Sequence, residues 1–327
     1  MIKAGIIGGT GYTGGELIRL LLNHPNAELS FVTSYSNVGK KVTDLHQDLI
    51  GEIDLEFIDN STDADVLFLA LPHKESKIWL ENNNVGNAVV IDLGNDFRIG
   101  ETYQGNSFVY GLPELNREKI KECSLIANPG CYPTTIELGL MPLLKNSLIK
   151  LDGIICDSKS GTTGAGRGLT LSTHFPEENE TFAPYKVGAH RHTPEIEETL
   201  TNMANDKVNV TFTPHLLPIN RGILSTIYCS PKNKINIEEI HKLYVESYKN
   251  EPFVNILPLG ETASIKNVRL TNDCFISLHS NHRQDQIIVV STIDNMIKRA
   301  AGQAIQNMNI ILGFDETDGL NLIAPSF

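Results

Sequence analysis

Residues 8–14, Gly8-Gly9-Thr10-Gly11-Tyr12-Thr13-Gly14, decide how this chain is read. They follow a short apolar run, Ile2 to Ile7, and precede Glu16 to Leu22, whose apolar residues recur at helical spacing. Strand, glycine turn and helix in that order predict the first βα unit of a doubly wound parallel sheet. In such a unit glycines permit the tight turn and let a pyrophosphate approach the helix N-terminus. The loop satisfies G-x-G-x-x-G from Gly9, and the strand before it and helix after it give the pattern its specificity. Gly8, Gly9, Thr10, Gly11, Tyr12 and Thr13 are the expected cofactor contacts.

Working outward, Leu29 to Thr33 reads as a second strand. Val66 to Leu71 and Ala88 to Leu93 are continuous apolar runs, the mark of parallel strands buried on both faces. The fold class predicted is α/β: a Rossmann-type doubly wound domain followed by an α+β domain. After Pro129 the strand-like segments lengthen and become more polar: Gly153 to Ser158, Val208 to Pro214, Leu224 to Cys229, Phe275 to Ser280 and Gln286 to Ser291. Helical patterns at Pro194 to Met203 and Ile237 to Tyr248 separate them, which suits an antiparallel or mixed sheet. A last helical pattern runs from Asp294 to Leu312. The expected division is 1–130 for the dinucleotide-binding domain, completed by the C-terminal helix 299–327, and 131–298 for the catalytic and oligomerisation domain. The cleft between them is the expected site.

The end of the second strand addresses which nicotinamide cofactor is bound. An NAD enzyme places Asp or Glu there. Here it reads Phe31-Val32-Thr33-Ser34-Tyr35-Ser36, and Lys40 and Lys41 come before the first acid, Asp44. Hydroxyls such as those of Ser34 and Ser36, with lysines, accept a 2′-phosphate that a carboxylate would repel. NADP(H) is the predicted cofactor.

Composition narrows the class further. The 327 residues suggest two domains, and 41% hydrophobic with 20% charged residues describe an ordinary globular chain. Twenty-seven lysines and arginines against 39 acids leave a net charge of −12, a poor start for binding nucleic acid or an anionic membrane. No apolar run approaches the ~20 residues of a membrane span. The N-terminus reads as a strand, not a signal peptide. Five cysteines, with no C-x-x-C spacing, argue against a disulfide framework or zinc ribbon. Reduced thiols in the cytoplasm are the expectation, with no metal.

One cysteine stands apart. In Asn128-Pro129-Gly130-Cys131-Tyr132-Pro133-Thr134-Thr135 a bend precedes Cys131 and an apolar helical pattern follows it. Cys131 is therefore expected at a helix N-terminus, where free N–H groups and the dipole favour thiolate, the nucleophilic form. Cys123, Cys156, Cys229 and Cys274 lie in apolar or strand-like settings and read as structural. A nucleophilic thiol needs a proton acceptor, and Gly188-Ala189-His190-Arg191-His192-Thr193-Pro194-Glu195 offers two histidines on one side of an extended segment. Thr193 resembles an N-cap and Pro194 the first helical residue. A zinc site there lacks a third ligand at standard spacing. His73 follows a central strand and borders the expected cofactor site. His24, His46, His241, His279 and His282 have no motif around them and read as surface residues. For anions, Arg98 closes the stretch 92–98 after a central strand. Ser160 to Gly168 is a hydroxyl-rich glycine loop holding Arg167. Arg221 is a weaker candidate.

Taken together these stretches resemble the N-acetyl-gamma-glutamyl-phosphate reductase family. The resemblance is carried by GGTGYTGGEL (8–17), ALPH (70–73), IDLGNDFR (91–98), VYGLPELNR (109–117), NPGCYPT (128–134), SGTTGAGRG (160–168), HRHTPEI (190–196), HLLPINRGI (215–223) and DNMIKRAAGQAIQNMN (294–309). It spans the chain end to end. It implies a Rossmann domain with a catalytic domain like that of glyceraldehyde-3-phosphate dehydrogenase, assembled as a homodimer or homotetramer. Cys131 then matches the catalytic cysteine and His192 the catalytic histidine, with His190, Arg98, Ser160, Gly161 and Arg167 on the substrate side. Pro72 and Asn295 join the cofactor side. The implied reaction is NADPH-dependent reduction of an acyl phosphate through a Cys131 thioester, releasing inorganic phosphate. N-succinyl-glutamyl phosphate and an aminoadipyl phosphate are alternative substrates, and a non-catalytic NADP sensor is the alternative of a different class. A short-chain dehydrogenase needs Tyr-x-x-x-Lys on a helix. The spacing found, Tyr228 to Lys232, contains Pro231 and ends a strand.

Overall fold

The computed structural model describes residues 1–327 apart from Ile235 and Phe327. The chain divides into two compact units, Met1–Pro129 with Arg299–Asn321, and Gly130–Lys298 with Leu322–Phe327.

The first unit runs β1 (Ile2–Ile7), α1 (Tyr12–Leu21), β2 (Ala27–Thr33), β3 (Phe57–Ile58), β4 (Val66–Leu69), α2 (Glu75–Asn82) and β5 (Val89–Asp92). A small hairpin follows, β6 (Thr102–Tyr103) with β7 (Asn106–Ser107), and then β8 (Val109–Tyr110), α3 (Pro113–Lys121) and β9 (Leu125–Ala127). Its main sheet has the order β3-β2-β1-β4-β5-β9-β8, and every pairing in it is parallel. The apolar runs explain this, since β4 and β5 are buried along their whole length. The segment 34–56, between β2 and β3, carries two 3₁₀ turns, Val42–Asp44 and Gln47–Leu49. One core cluster gathers Ile7, Phe31, Leu67, Leu69, Val90 and Trp79, the only tryptophan of the sequence.

The C-terminal helix of this unit spans Ala301–Leu312 and packs on α1 and α3. It is shorter than the pattern from Asp294 suggests. Asp294 and Asn295 use their side chains on backbone amides instead: Met296 N and Leu270 N donate to Asp294, and Gly222 N donates to Asn295. At the other end Gly313 adopts φ 71°, a left-handed C-cap, so no helix continues to 327, and residues 322–327 group with the second unit.

The second unit opens with α4 (Cys131–Lys145) and continues with β10 (Ile154–Ser160), α5 (Phe175–Glu178), β11 (Ala183–Pro184), α6 (Thr193–Ala204) and β12 (Val210–Leu216). It ends with β13 (Ile223–Cys229), α7 (Ile237–Tyr248), β14 (Val254–Ile256), β15 (Cys274–Ser280) and β16 (Ile287–Ile293). The sheet order is β11-β12-β10-β13-β16-β15-β14. It is mixed: β10 with β12 and β14 with β15 are parallel, the other pairs antiparallel. Helix α4 is buried from Cys131 to Leu144 against β13, β16 and α6. A Cβ on Gly139 would stand 2.8 Å from Ile227 Cδ1, so this helix needs glycine to lie so close to the sheet. Alternate residues of β10 and β13 are buried beneath it, and the remainder face the opposite side.

Candidate active site

The glycine turn is built as a close-packed corner. Gly8 adopts φ 85°, a conformation that favours glycine. A Cβ on Gly9 would lie 2.0 Å from Val32 Cγ1, and one on Gly14 would lie 2.7 Å from the Gly9 backbone. Thr33 holds the turn from β2: its hydroxyl accepts from Gly8 N at 3.1 Å and its carbonyl from Gly9 N at 3.0 Å. Gly11 is the N-cap of α1, faces open space, and has no side-chain cap and no acid in the first turn after it. The start of this helix therefore presents its positive end with no carboxylate to repel an anion.

At the carboxyl end of β2 stands a polar rim without a carboxylate. Asn37 Nδ2 donates to Ser34 Oγ at 3.3 Å and to Ser36 Oγ at 3.0 Å, and Lys40 Nζ donates to Asn37 Oδ1 at 3.1 Å. Lys41 departs from the sequence reading: its ammonium pairs with Asp54 at 2.7 Å. Hydroxyls, an amide and one lysine at the ribose edge, beside an uncapped glycine turn, fit a dinucleotide carrying a 2′-phosphate. Beyond β4, Pro72 and His73 lead into α2. Asp96 caps that helix from a distant loop, accepting from Lys74 N at 2.8 Å and Lys77 N at 3.2 Å, and His73 Nδ1 lies 2.9 Å from it.

The stretch 92–98 is stapled at both ends. Asp92 is fully buried, and its Oδ1 accepts from Ser76 Oγ at 2.6 Å and Gly94 N at 3.0 Å. Burial outweighs these bonds and pushes its carboxyl up to about 6. Arg98, also buried, donates from Nε to Asn128 O at 2.8 Å and from Nη2 to Leu93 O at 3.3 Å. Its guanidinium thus braces the backbone that leads into Cys131.

In the second unit, Cys131 is the first residue of α4, with Gly130 as N-cap and no side-chain cap. Glu195, buried in the first turn of α6, accepts from Gly130 N at 2.6 Å. Thr134 Oγ1 donates to Gly130 O at 2.8 Å. Helix α6 starts at Thr193 with His192 as its N-cap, one residue earlier than the sequence suggests. One carboxylate therefore ties the turn bearing Cys131 to the helix that begins at His192. The sequence reading missed this, since it drew only the two histidines and the helix start from this stretch.

The two histidine rings lie 4.8 Å apart, in a turn rather than an extended segment, and His192 N donates to His190 Nδ1 at 3.1 Å. Tyr132 packs edge-on against both, at 5.6 Å from His190 and 6.0 Å from His192. Its hydroxyl meets that of Tyr185 at 3.0 Å. Burial, helped by Arg191 and Lys186, pushes His190 down to about 4, so it is neutral at pH 7. Burial pushes Tyr185 up to about 12. Three other thiols are raised by burial, Cys123 to about 11, Cys229 to about 12 and Cys156 further still.

The loop 160–168 differs from its sequence reading. Three of its amides are already engaged, Gly161 N with Gly222 O, Thr162 N with Ile219 O and Thr163 N with Asn220 O. A Cβ on Gly161 would lie 2.6 Å from Asn220 O. Ser160 is buried and donates to Gly161 O, whereas Arg167 is exposed. Asn295 clamps the same two loops: Oδ1 accepts from Gly222 N at 2.7 Å and Nδ2 donates to Thr163 Oγ1 at 3.0 Å. Arg221 Nη1 lies 3.7 Å from the buried Asp294. Among the described residues no group of three or more His, Cys, Asp or Glu is placed to hold a metal ion.

Residues 3–123 match the family described as semialdehyde dehydrogenase, NAD binding domain, and residues 131–295 match semialdehyde dehydrogenase, dimerisation domain. A Clostridium beijerinckii protein named N-acetyl-gamma-glutamyl-phosphate reductase is 67% identical over 345 residues, covering 100% of both chains. The chain belongs to the N-acetyl-gamma-glutamyl-phosphate reductase family. A Brachyspira hyodysenteriae member is 48% identical over 100% of both chains. The fold extends beyond the family: aspartate semialdehyde dehydrogenase II of Vibrio cholerae superposes with a TM-score of 0.77 at 15% identity, over 96% of this chain and 98% of that one.

Proposed function

We propose that Cys131 is the nucleophile and His192 the proton-transfer group of this enzyme. The chain is an NADP(H)-dependent oxidoreductase of arginine biosynthesis that reduces N-acetyl-γ-glutamyl phosphate to the semialdehyde. The observation that carries the roles is the Glu195 carboxylate on Gly130 N, which fixes the thiol-bearing turn relative to the start of α6.

The steps follow from these positions. The Cys131 thiolate bonds to the acyl carbon, the carbon–oxygen bond to phosphate breaks, and a thioester remains on Sγ. The departing phosphate and the substrate carboxylate are assigned to Arg98, Ser160, Arg167 and His190, with Gly161, whose own amide is held by Gly222 O, shaping the loop. NADPH, when bound, supplies the hydride that the thioester carbon receives. His192, in its protonated form, gives a proton to the oxyanion that hydride addition leaves and takes it back as the C–S bond breaks, which frees the aldehyde and regenerates the thiolate. His190, kept neutral by burial, orients His192 through the backbone amide instead of adding a charge. For NADP(H), the turn Gly8–Thr13 is assigned to the pyrophosphate and Ser34 and Ser36 to the 2′-phosphate. Pro72 and Asn295 are likewise assigned to the cofactor.

Assembly as a homodimer or homotetramer belongs to the same proposal. It is supported by apolar residues left partly exposed on the face of the sheet opposite α4, Ile155 of β10 and Leu224 of β13. A cytoplasmic setting is supported by five cysteines that are all free. The test is NADP⁺ reduction in the reverse direction, with and without inorganic phosphate, on N-acetylglutamate, N-succinylglutamate and aminoadipate semialdehydes. Phosphate-dependent turnover greatest on the N-acetyl compound is expected. Full-rate oxidation without phosphate would overturn the acyl-phosphate chemistry.

A further inference from the structure

His46 has no motif around it and reads from the sequence as a surface residue, yet it is buried beneath the glycine turn. Its Nε2 donates to the carbonyl of Gly9 at 2.8 Å. Its ring also fills the space beside α1: a Cβ on Gly15 would stand 2.7 Å from Cε1 and Nδ1. The turn is therefore gripped from two directions. Thr33 takes the amides of Gly8 and Gly9 from the β2 side, and His46 takes the Gly9 carbonyl from the segment 34–56. Gly9 is itself buried, so without His46 its carbonyl loses a partner in a place where an unpaired group is costly.

We propose that His46 is a positioning residue for the dinucleotide. It fixes the peptide from which the anion-facing amides of Thr10 to Thr13 depart. The inference rests on the NADP(H) reading and adds a residue outside the glycine motif to the machinery of the turn. The neighbouring ribose edge is held separately. Ser34 N donates to Ile58 O at 2.9 Å, Gly39 N to Phe57 O at 2.8 Å and Phe57 N to Lys40 O at 2.9 Å, and none of these bonds involves His46. Loss of the ring therefore loosens the pyrophosphate turn while leaving the 2′-phosphate rim in place.

That separation supplies the test. The full chain and its His46→Ala and His46→Gln variants are titrated with NADPH by fluorescence, and with 2′-AMP, which lacks a pyrophosphate, by competition. His46→Ala is expected to weaken NADPH about tenfold and to leave 2′-AMP unchanged. His46→Gln, whose amide N–H reaches a similar distance, is expected to recover most of the NADPH affinity. An unchanged NADPH affinity in His46→Ala overturns the proposal, as does a parallel loss of both ligands, the signature of a generally damaged unit. Should His46→Ala fail to fold, His46→Gln is compared with the shorter His46→Asn: tight against weak supports the proposal, and equal affinities overturn it. A wild-type chain that binds neither ligand overturns the cofactor reading, and this proposal with it.

Discussion

Asp92 closes β5 with its carboxyl fully buried and one oxygen, Oδ2, without a hydrogen-bond partner among the described residues. Replacing it by Asn keeps an oxygen for the Ser76 hydroxyl and the Gly94 amide and removes the charge. The sign of the effect follows from the direction of the shift. The folded carboxyl titrates at about 6 against 3.8 for the ordinary group, so the folded state holds the proton more tightly than the unfolded one. The stabilisation is complete below the unfolded value and is lost as pH rises through the folded one. A difference of about two pKa units corresponds to about 3 kcal/mol, of which about half falls between pH 5 and pH 8.

Trp79 makes this measurable within one unit. It is the only tryptophan and lies in the core cluster with Leu67, Val90 and Phe97, so its fluorescence follows the unfolding of the sheet that carries Asp92. Urea titrations of wild type and Asp92→Asn at several pH values then give a difference profile. A constant penalty for the new amide, or for the change beside Arg98, moves that profile up or down without tilting it. The expected result is a tilt: the variant gains about 1–2 kcal/mol relative to wild type from pH 5 to pH 8. Parallel profiles would refute the reasoning, because they would mean that the carboxylate ionises in the fold as easily as in water.

Cys131→Ser should lower kcat by about 10³-fold or more while leaving NADPH affinity intact, read by steady-state kinetics beside a fluorescence titration. Gly9→Ala drives a methyl to within 2.0 Å of Val32 and should destabilise the fold by about 1–3 kcal/mol, whereas Gly11→Ala, which meets nothing within 4 Å, should fold normally; thermal melts separate the two. Ser36→Asp places a carboxylate on an exposed part of the ribose rim and should weaken NADPH by about 1 kcal/mol or more while leaving NADH binding unchanged. Burial lowers the pKa of His190, so it contributes stability above its ordinary value that is lost as pH falls towards 4; His190→Gln should flatten that part of the denaturation profile.

What could be read from the sequence follows the range of the interactions involved. Local patterns sufficed where a single segment carries the signal. The glycine turn, the doubly buried runs of β4 and β5, and the placing of Cys131 at a helix start each depend on residues within one or two turns of chain. Where the decisive bond joins distant residues, the sequence offered composition without geometry. Glu195 reaches Gly130 across 65 positions, and His46 reaches Gly9 across 37. Neither partner carries a motif, because the donor or acceptor on the other side is a backbone group that any residue would supply. The loop 160–168 shows the converse: its composition is rich in amides and hydroxyls, but Gly161 to Thr163 have their amides engaged by the carbonyls of 219–222. Composition counts donors, whereas binding depends on which of them the fold has left unengaged. The same distinction separates the two glycine loops of this chain. At Gly11 no side chain caps the helix that follows and the space is open, while at Gly161 neighbouring backbone stands close and the loop amides are already engaged.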